Sequence, residues 1–150
     1  MKRVFTKLYV YTLLALQFGA LLYLVLTGPI LAPTMPLFLL QIGGLLLGWA
    51  ALWRMSGTPW QASPELHPRA RLITKGIYKR IRHPMYATLL IFALSWLYAE
   101  YSLERLWVAL ILFCALLLKM YFEERALRQR FGSSYEAYCR RTKRIVPMIF

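Results

Sequence analysis

Aspartate is absent from the chain, and among its 150 residues there are only two histidines and two cysteines. So sparse a ligand set forms no metal-binding spacing, and no glycine-rich phosphate loop is present, so no metal centre and no nucleoside triphosphate site are expected. Cys114 falls inside an apolar run and Cys139 in a basic tail, an arrangement that predicts reduced thiols and no disulfide. Acidic residues are also scarce: six glutamates stand against 19 lysines and arginines, a net charge of +13.

Apolar residues fill the space left by these absences. The chain is 59% hydrophobic with a mean hydropathy of +0.48, beyond the range of an ordinary soluble domain. Four apolar runs stand out: Leu8 to Leu26, Pro36 to Trp53, Met85 to Tyr98 and Leu106 to Phe122. The first, second and fourth are long enough as helices to cross about 30 Å of hydrocarbon. The third covers only about 20 Å at about 1.5 Å per residue, which draws Arg82 and His83 toward the lipid boundary. The KR start of the first run is like that of a signal peptide, but the run is longer than a normal h-region and lacks a small-residue cleavage site, so it reads as a span.

The charges set the expected topology. Thr27 to Met35 has no Lys or Arg, and Ala99 to Arg105 has only Arg105. All other basic residues lie in Met1 to Lys7, in Arg54 to Arg82, or from Lys119 onward. The positive-inside rule then predicts an all-α integral membrane protein with four transmembrane helices, both termini and a 54–82 loop being cytoplasmic. A multi-pass protein of a bacterial inner membrane is expected. Its basic residues flank spans instead of forming a face on a soluble fold, so anionic lipid headgroups are the predicted partners and nucleic acid is not. One domain covering residues 1–150 is expected, without internal repeats.

Two polar patches carry the candidate chemistry. Leu72 to Tyr86, LITKGIYKRIRHPMY, places Lys79, Arg80, Arg82 and His83 directly before the third apolar run. Pro84 suits the first turn of a helix, with His83 as its cap, and the free amides there would favour a carboxylate or phosphate. On the fourth helix Lys119 and Glu123 share a face, while Glu124 is turned by about 100°. Tyr78, Tyr86 and Tyr121 add aromatic faces able to hold a cation or an adenine. Farther on, Gly132 is expected to end the long helix, and Ser133 with Glu136 reads as a capping box opening an interfacial helix that Pro147 stops. Glu123 and Glu124 could instead be solvated by Arg125, Arg128 and water, and the basic run could be a simple helix anchor.

These motifs occur together in a known order. LITKGIY and RHPMY, a hydrophobic hairpin, an acidic pair eight residues before Phe131 and Gly132, and the FGxxYxxY of Phe131 to Tyr138 resemble the isoprenylcysteine carboxyl methyltransferase and phospholipid N-methyltransferase superfamily. The resemblance runs from Arg54 to Pro147 and includes the GTPW of Gly57 to Trp60. It implies an S-adenosylmethionine-dependent membrane enzyme whose cytoplasmic loop and C-terminal interfacial helix form the cofactor site. By the same resemblance Leu72 and Ile73 border the cofactor and Tyr78 contacts it. His83, Pro84, Met85 and Tyr86 would form its cradle, and Glu123 would bind from the opposite helix. Lys119 and Arg82 are the residues expected to serve the reaction. Lys119 stands where the prenylcysteine branch has an Arg for the substrate carboxylate, which keeps the charge but loses the bidentate fork. A lipophilic acceptor is implied, its identity open among lipids, isoprenoid thiols or acids, phosphatidylethanolamine and volatile thiols. A cationic scaffold or transporter subunit and a sterol-reductase-like enzyme are the competing readings.

Overall fold

The computed structural model describes residues 2–56 and 71–146. The GTPW segment and the three loop prolines Pro59, Pro64 and Pro68 lie outside the described residues, as does Pro147. The described residues form five α-helices: α1 Lys2–Leu26, α2 Met35–Met55, α3 Pro84–Ala99, α4 Leu103–Phe131 and α5 Ser133–Arg141, with a 3-10 turn at Gly76–Lys79. No strand occurs among them, and the one extended pairing is a parallel bridge between Ile81 and Lys143.

Three helices, α1, α2 and α4, contain segments long and apolar enough to cross a membrane. Helix α3 has 16 residues, which reach about 24 Å. It begins at Pro84, where a proline costs no intrahelical bond, and it packs chiefly against α2, with further contacts to α4 and α1. Large residues such as Leu39, Leu45, Leu46 and Leu52 point outward from α2, as Phe18 and Leu22 do from α1. In a chain of this composition they are the surface offered to lipid.

Small residues let α2 approach α3 closely. A Cβ at Gly44 would lie 2.8 Å from Ile91 Cγ2, and one at Gly48 would lie 3.1 Å from Thr88 Cγ2. The Thr88 hydroxyl donates to the Gly44 carbonyl at 3.2 Å, so close packing and an interhelical hydrogen bond coincide at one place. Helix α1 lies along α4 through Val10, Leu13, Gln17, Ala20 and Leu24, all buried and spaced three or four apart. One member of that seam is polar.

At the far ends of these helices, Arg105 occupies the first turn of α4 and is buried. Its guanidinium donates to the Trp96 carbonyl at 2.6 Å and to the Thr27 hydroxyl. A side chain on Gly28 would strike that guanidinium at 2.7 Å. The lone basic residue of this side therefore pins the ends of α1, α3 and α4 together.

The C-terminal helix differs from its sequence reading. Gly132, at φ +50°, ends α4 and also occupies the cap position of α5, and no side chain caps α5. The reversal needs a backbone conformation that glycine adopts readily. Ser133 is already helical, so the expected capping box does not form. Helix α5 stops at Arg141, ahead of Pro147, and its Tyr135 and Tyr138 are buried against the protein.

Candidate functional site

The path into α3 is shaped before the helix begins. Gly76, at φ +65°, turns the chain against Arg54, whose Nε would lie 2.6 Å from a Cβ at that position. The 3-10 turn then buries Tyr78, whose carbonyl accepts the Tyr138 hydroxyl of α5 at 2.8 Å. Burial and the nearby Glu123 push the Tyr78 phenol above its ordinary range, so it remains a neutral hydroxyl. Leu72 and Ile73 lie half-buried in the irregular segment ahead of the turn.

The C-terminal tail runs beside this segment. Lys143 N–H donates to the Arg80 carbonyl at 3.0 Å, Arg82 N–H to the Lys143 carbonyl at 2.8 Å, and His83 N–H to the Arg144 carbonyl at 2.9 Å. His83 is the cap residue of α3, as its place before Pro84 predicts, but its own amide is taken up by the tail. The first intrahelical bond runs from Ala87 N–H to the His83 carbonyl at 3.0 Å. The amides of Met85 and Tyr86 precede it, and these are the donors of the first turn that a ligand could use.

Across from this helix start, Glu123 and Glu124 part company. Glu124 is buried and faces the basic residues. Its Oε1 accepts from Arg82 Nε at 3.0 Å and lies 3.3 Å from His83 Nε2, and its Oε2 accepts from Arg144 Nη2 at 3.1 Å. The hydrogen bond to this carboxylate raises the Arg144 guanidinium above its usual value. Arg128 lies farther off, at 3.8 Å. Of the expected cations Arg128 does pair with Glu124, but the nearer partners are Arg82 and Arg144, because the tail wraps back to supply the latter. No local spacing could signal a partner 20 residues away.

Glu123 keeps an open side. Its side chain is 40% exposed against 3% for Glu124. Its Oε2 accepts the Tyr86 hydroxyl at 3.0 Å and lies 3.8 Å from His83 Nδ1. The imidazole of His83 stacks on the Tyr86 ring, with centroids 5.4 Å apart and an 18° tilt. Lys119, one turn earlier on α4, holds its Nζ 5.5 Å from the centre of the Tyr86 ring and donates to Gln17 Oε1 at 2.6 Å.

Thus His83, Tyr86, Lys119 and Glu123 come together around one aromatic ring. Pro84 is buried and Met85 half-buried at the same helix start. Arg82 is directed elsewhere: besides Glu124, it donates to the carbonyls of Cys139 and Thr142. Glu124 as an organising anion and Gln17 as a partner of Lys119 were missed on the sequence. Gln17 had left a signal, as the one amide in an otherwise apolar helical seam.

Residues 35–134, two thirds of the chain, match the phospholipid methyltransferase family. That family falls within the membrane methyltransferase superfamily that also holds the isoprenylcysteine carboxyl methyltransferases. No curated protein matches the chain. The matched region takes in α2, α3 and α4 but leaves out α1, and with it Gln17, and the tail that carries Arg144.

Proposed function

The chain belongs to the phospholipid methyltransferase family, and from that premise we propose that it moves a methyl group from S-adenosylmethionine to a lipophilic acceptor within the membrane. The observation that carries this reading is the Tyr86–Glu123 hydrogen bond with Lys119 Nζ over the same ring.

The donor set suits such a cofactor. A half-exposed carboxylate, two first-turn amides and stacked aromatic rings together offer an acceptor for hydroxyl or ammonium groups, donors for a carboxylate, and π-faces for a cation. In this reading Tyr78, His83, Pro84, Met85, Tyr86 and Glu123 would hold the cofactor, with Leu72 and Ile73 at its border. When bound, it supplies a methyl group already activated by a sulfonium. The protein's work is then alignment and exclusion of water, which can contribute several kcal/mol without an elaborate set of acids and bases.

Each side chain has a part in this proposal. Glu123, fixed by the Tyr86 hydroxyl, anchors the cofactor from α4, and Lys119 meets the acceptor one turn deeper. Arg82, whose Nε and Nη1 hydrogens go to Glu124 and the tail, serves the reaction by holding the cradle in shape. Four crossings with cytoplasmic termini would bring the water-soluble cofactor from one side and the acceptor laterally from the lipid. Titration of the purified protein with S-adenosylhomocysteine tests the cofactor site. Incubation of native lipid extract with methyl-labelled S-adenosylmethionine identifies the acceptor, and a protein that neither binds nor labels would defeat the reading.

A further inference from the structure

The basic end of α2 carries a cleft that the candidate cofactor site does not use. Trp49, Ala50, Trp53 and Arg54 form one wall and Gly76 and Ile77 the other, around a volume of about 450 Å³. That is within the range of small-molecule sites. The shape follows from side-chain size. Trp49 and Trp53 stand one turn apart on one face of α2, with ring centroids 6.3 Å apart, and both are exposed. Ala50 and Gly76 are too small to fill the space between the indoles and the turn. A Cβ at Gly76 would meet Arg54 Nε at 2.6 Å, so the guanidinium lies against bare backbone.

The fold makes no polar use of Arg54. Ser56 completes the end of α2, its N–H donating to the Leu52 carbonyl at 2.9 Å and its hydroxyl to the Trp53 carbonyl at 2.6 Å. An arginine is therefore not needed there as a cap. Among the described residues no carboxylate or other acceptor meets its guanidinium. Arg82, Arg105 and Arg144, by contrast, all donate to groups of the protein.

The depth of the cleft identifies its occupant. Arg54 lies in the last turn of a helix long and apolar enough to cross a membrane, and Leu45, Leu46 and Leu52 of that helix are exposed. The end of such a span is the level at which phosphate and glycerol ester groups meet hydrocarbon, and indole rings favour it. A soluble anion would match the arginine but not the two indoles. An acyl chain alone would leave the guanidinium unpaired. A glycerophospholipid supplies both halves, and one of net negative charge fits best, because the cleft offers a cation and no described carboxylate for a headgroup ammonium.

We propose that this cleft binds an anionic phospholipid as a structural ligand, with Arg54 on the phosphodiester and Trp49 and Trp53 against the glycerol esters and the start of an acyl chain. The planar guanidinium fork suits a phosphate, and the surrounding apolar layer screens the pair weakly. The lipid would join the end of α2 to the turn that leads to Tyr78 and α3. It is not the methyl acceptor. The cleft is walled by α2 and the turn, whereas Glu123 and Lys119 meet Tyr86 between α3 and α4.

The test is native mass spectrometry of the detergent-solubilised full chain with dioleoylphosphatidylglycerol, dioleoylphosphatidylcholine and dioleoylglycerol as probes. The wild type should retain phosphatidylglycerol about tenfold over either of the others, the equivalent of one charge-assisted hydrogen bond. Arg54→Gln, an exposed change that should fold, should lose the preference. Ala50→Phe, which fills the cleft with the charge intact, should lose it too, with cooperative thermal unfolding as the check on folding. Arg141→Gln removes an equal charge from an exposed position elsewhere and should keep it. Phosphatidylglycerol should also raise the unfolding midpoint of the wild type by a few degrees and leave that of Arg54→Gln unmoved. No preference in the wild type, a preference unchanged in Arg54→Gln or in folded Ala50→Phe, or an equal loss in Arg141→Gln overturns the site. Retained phosphatidylglycerol should be recovered unlabelled after incubation with methyl-labelled S-adenosylmethionine, and label on it would make the lipid an acceptor and overturn the structural role. A wild type that shows the lipid preference but binds no S-adenosylhomocysteine supports the cleft and defeats the methyltransferase reading instead.

Discussion

His83 and Glu124 face one another across the α3–α4 hairpin, with Nε2 3.3 Å from Oε1, while the opposite ring nitrogen of His83 points at Glu123 Oε2 from 3.8 Å. The imidazole thus links a buried carboxylate, tied to the tail, to a half-exposed one that is open to a ligand. Through this ring, the order of the C-terminal tail bears on the geometry of the candidate site.

Glu123→Ala should weaken S-adenosylhomocysteine binding more than tenfold, since a charge-assisted hydrogen bond contributes about 1.5–3 kcal/mol. The protein should stay folded, because the lost side chain is 40% exposed and the ion network centres on its neighbour. Calorimetry beside a thermal unfolding curve checks both parts. Unchanged affinity in the folded variant would reject the assignment.

Lys119→Met should separate the two halves of the site. Cofactor affinity is expected within a few-fold of wild type, whereas transfer to an acceptor that carries a negative charge should fall strongly, through kcat/KM. Transfer to a neutral acceptor should persist. Binding and turnover on one preparation decide the matter, with Arg128→Met as an exposed control.

Glu124→Gln should be the more damaging of the two glutamate changes for stability. It keeps the shape but leaves Arg82 and Arg144 around a neutral amide, and breaking a buried ion pair costs about 3–5 kcal/mol. The tail should loosen from Arg80 and His83 as a consequence. Limited trypsin digestion should cut at Arg140, Arg141 and Lys143 sooner than in wild type, and equal cutting rates would show that the tail is held by other contacts.

Gly44→Val should destabilise the α2–α3 pair by about 1–3 kcal/mol through overpacking, because its Cβ would stand 2.8 Å from Ile91 Cγ2. Ile91→Ala should restore part of that loss when combined with it. The midpoint of thermal unfolding for both variants and their combination measures the coupling, and strict additivity would place the clash elsewhere.

A cysteine introduced at Ser56, at the end of α2, should resist an impermeant reagent applied to the outside of intact cells and react once the membrane is opened. The expectation follows from the basic residues gathered on that side of α2 and α3. Labelling of intact cells would overturn the proposed topology.

The sequence by itself determined where the helices form and two of their ends, the start of α3 at Pro84 and the end of α4 at Gly132, because those depend on local causes. Apolar runs of span length, Pro84 at a helix start and Gly132 at a reversal each act within a few residues. The ordered motifs from Leu72 to Tyr138 likewise led to the family. Tertiary structure decided how the charges are shared. Glu123 and Glu124 are adjacent, yet one opens outward and the other is buried, and the difference arises because the tail returns Arg144 to one of them. Gln17 and Lys119 meet over 102 positions of sequence because α1 lies along α4. The capping box at Ser133 failed for a similar reason: Tyr135 and Tyr138 pack into the protein, and the glycine turn before them sets the start of α5. Local rules see a chain one turn at a time, whereas a carboxylate buried among distant cations exists only after the helices have packed.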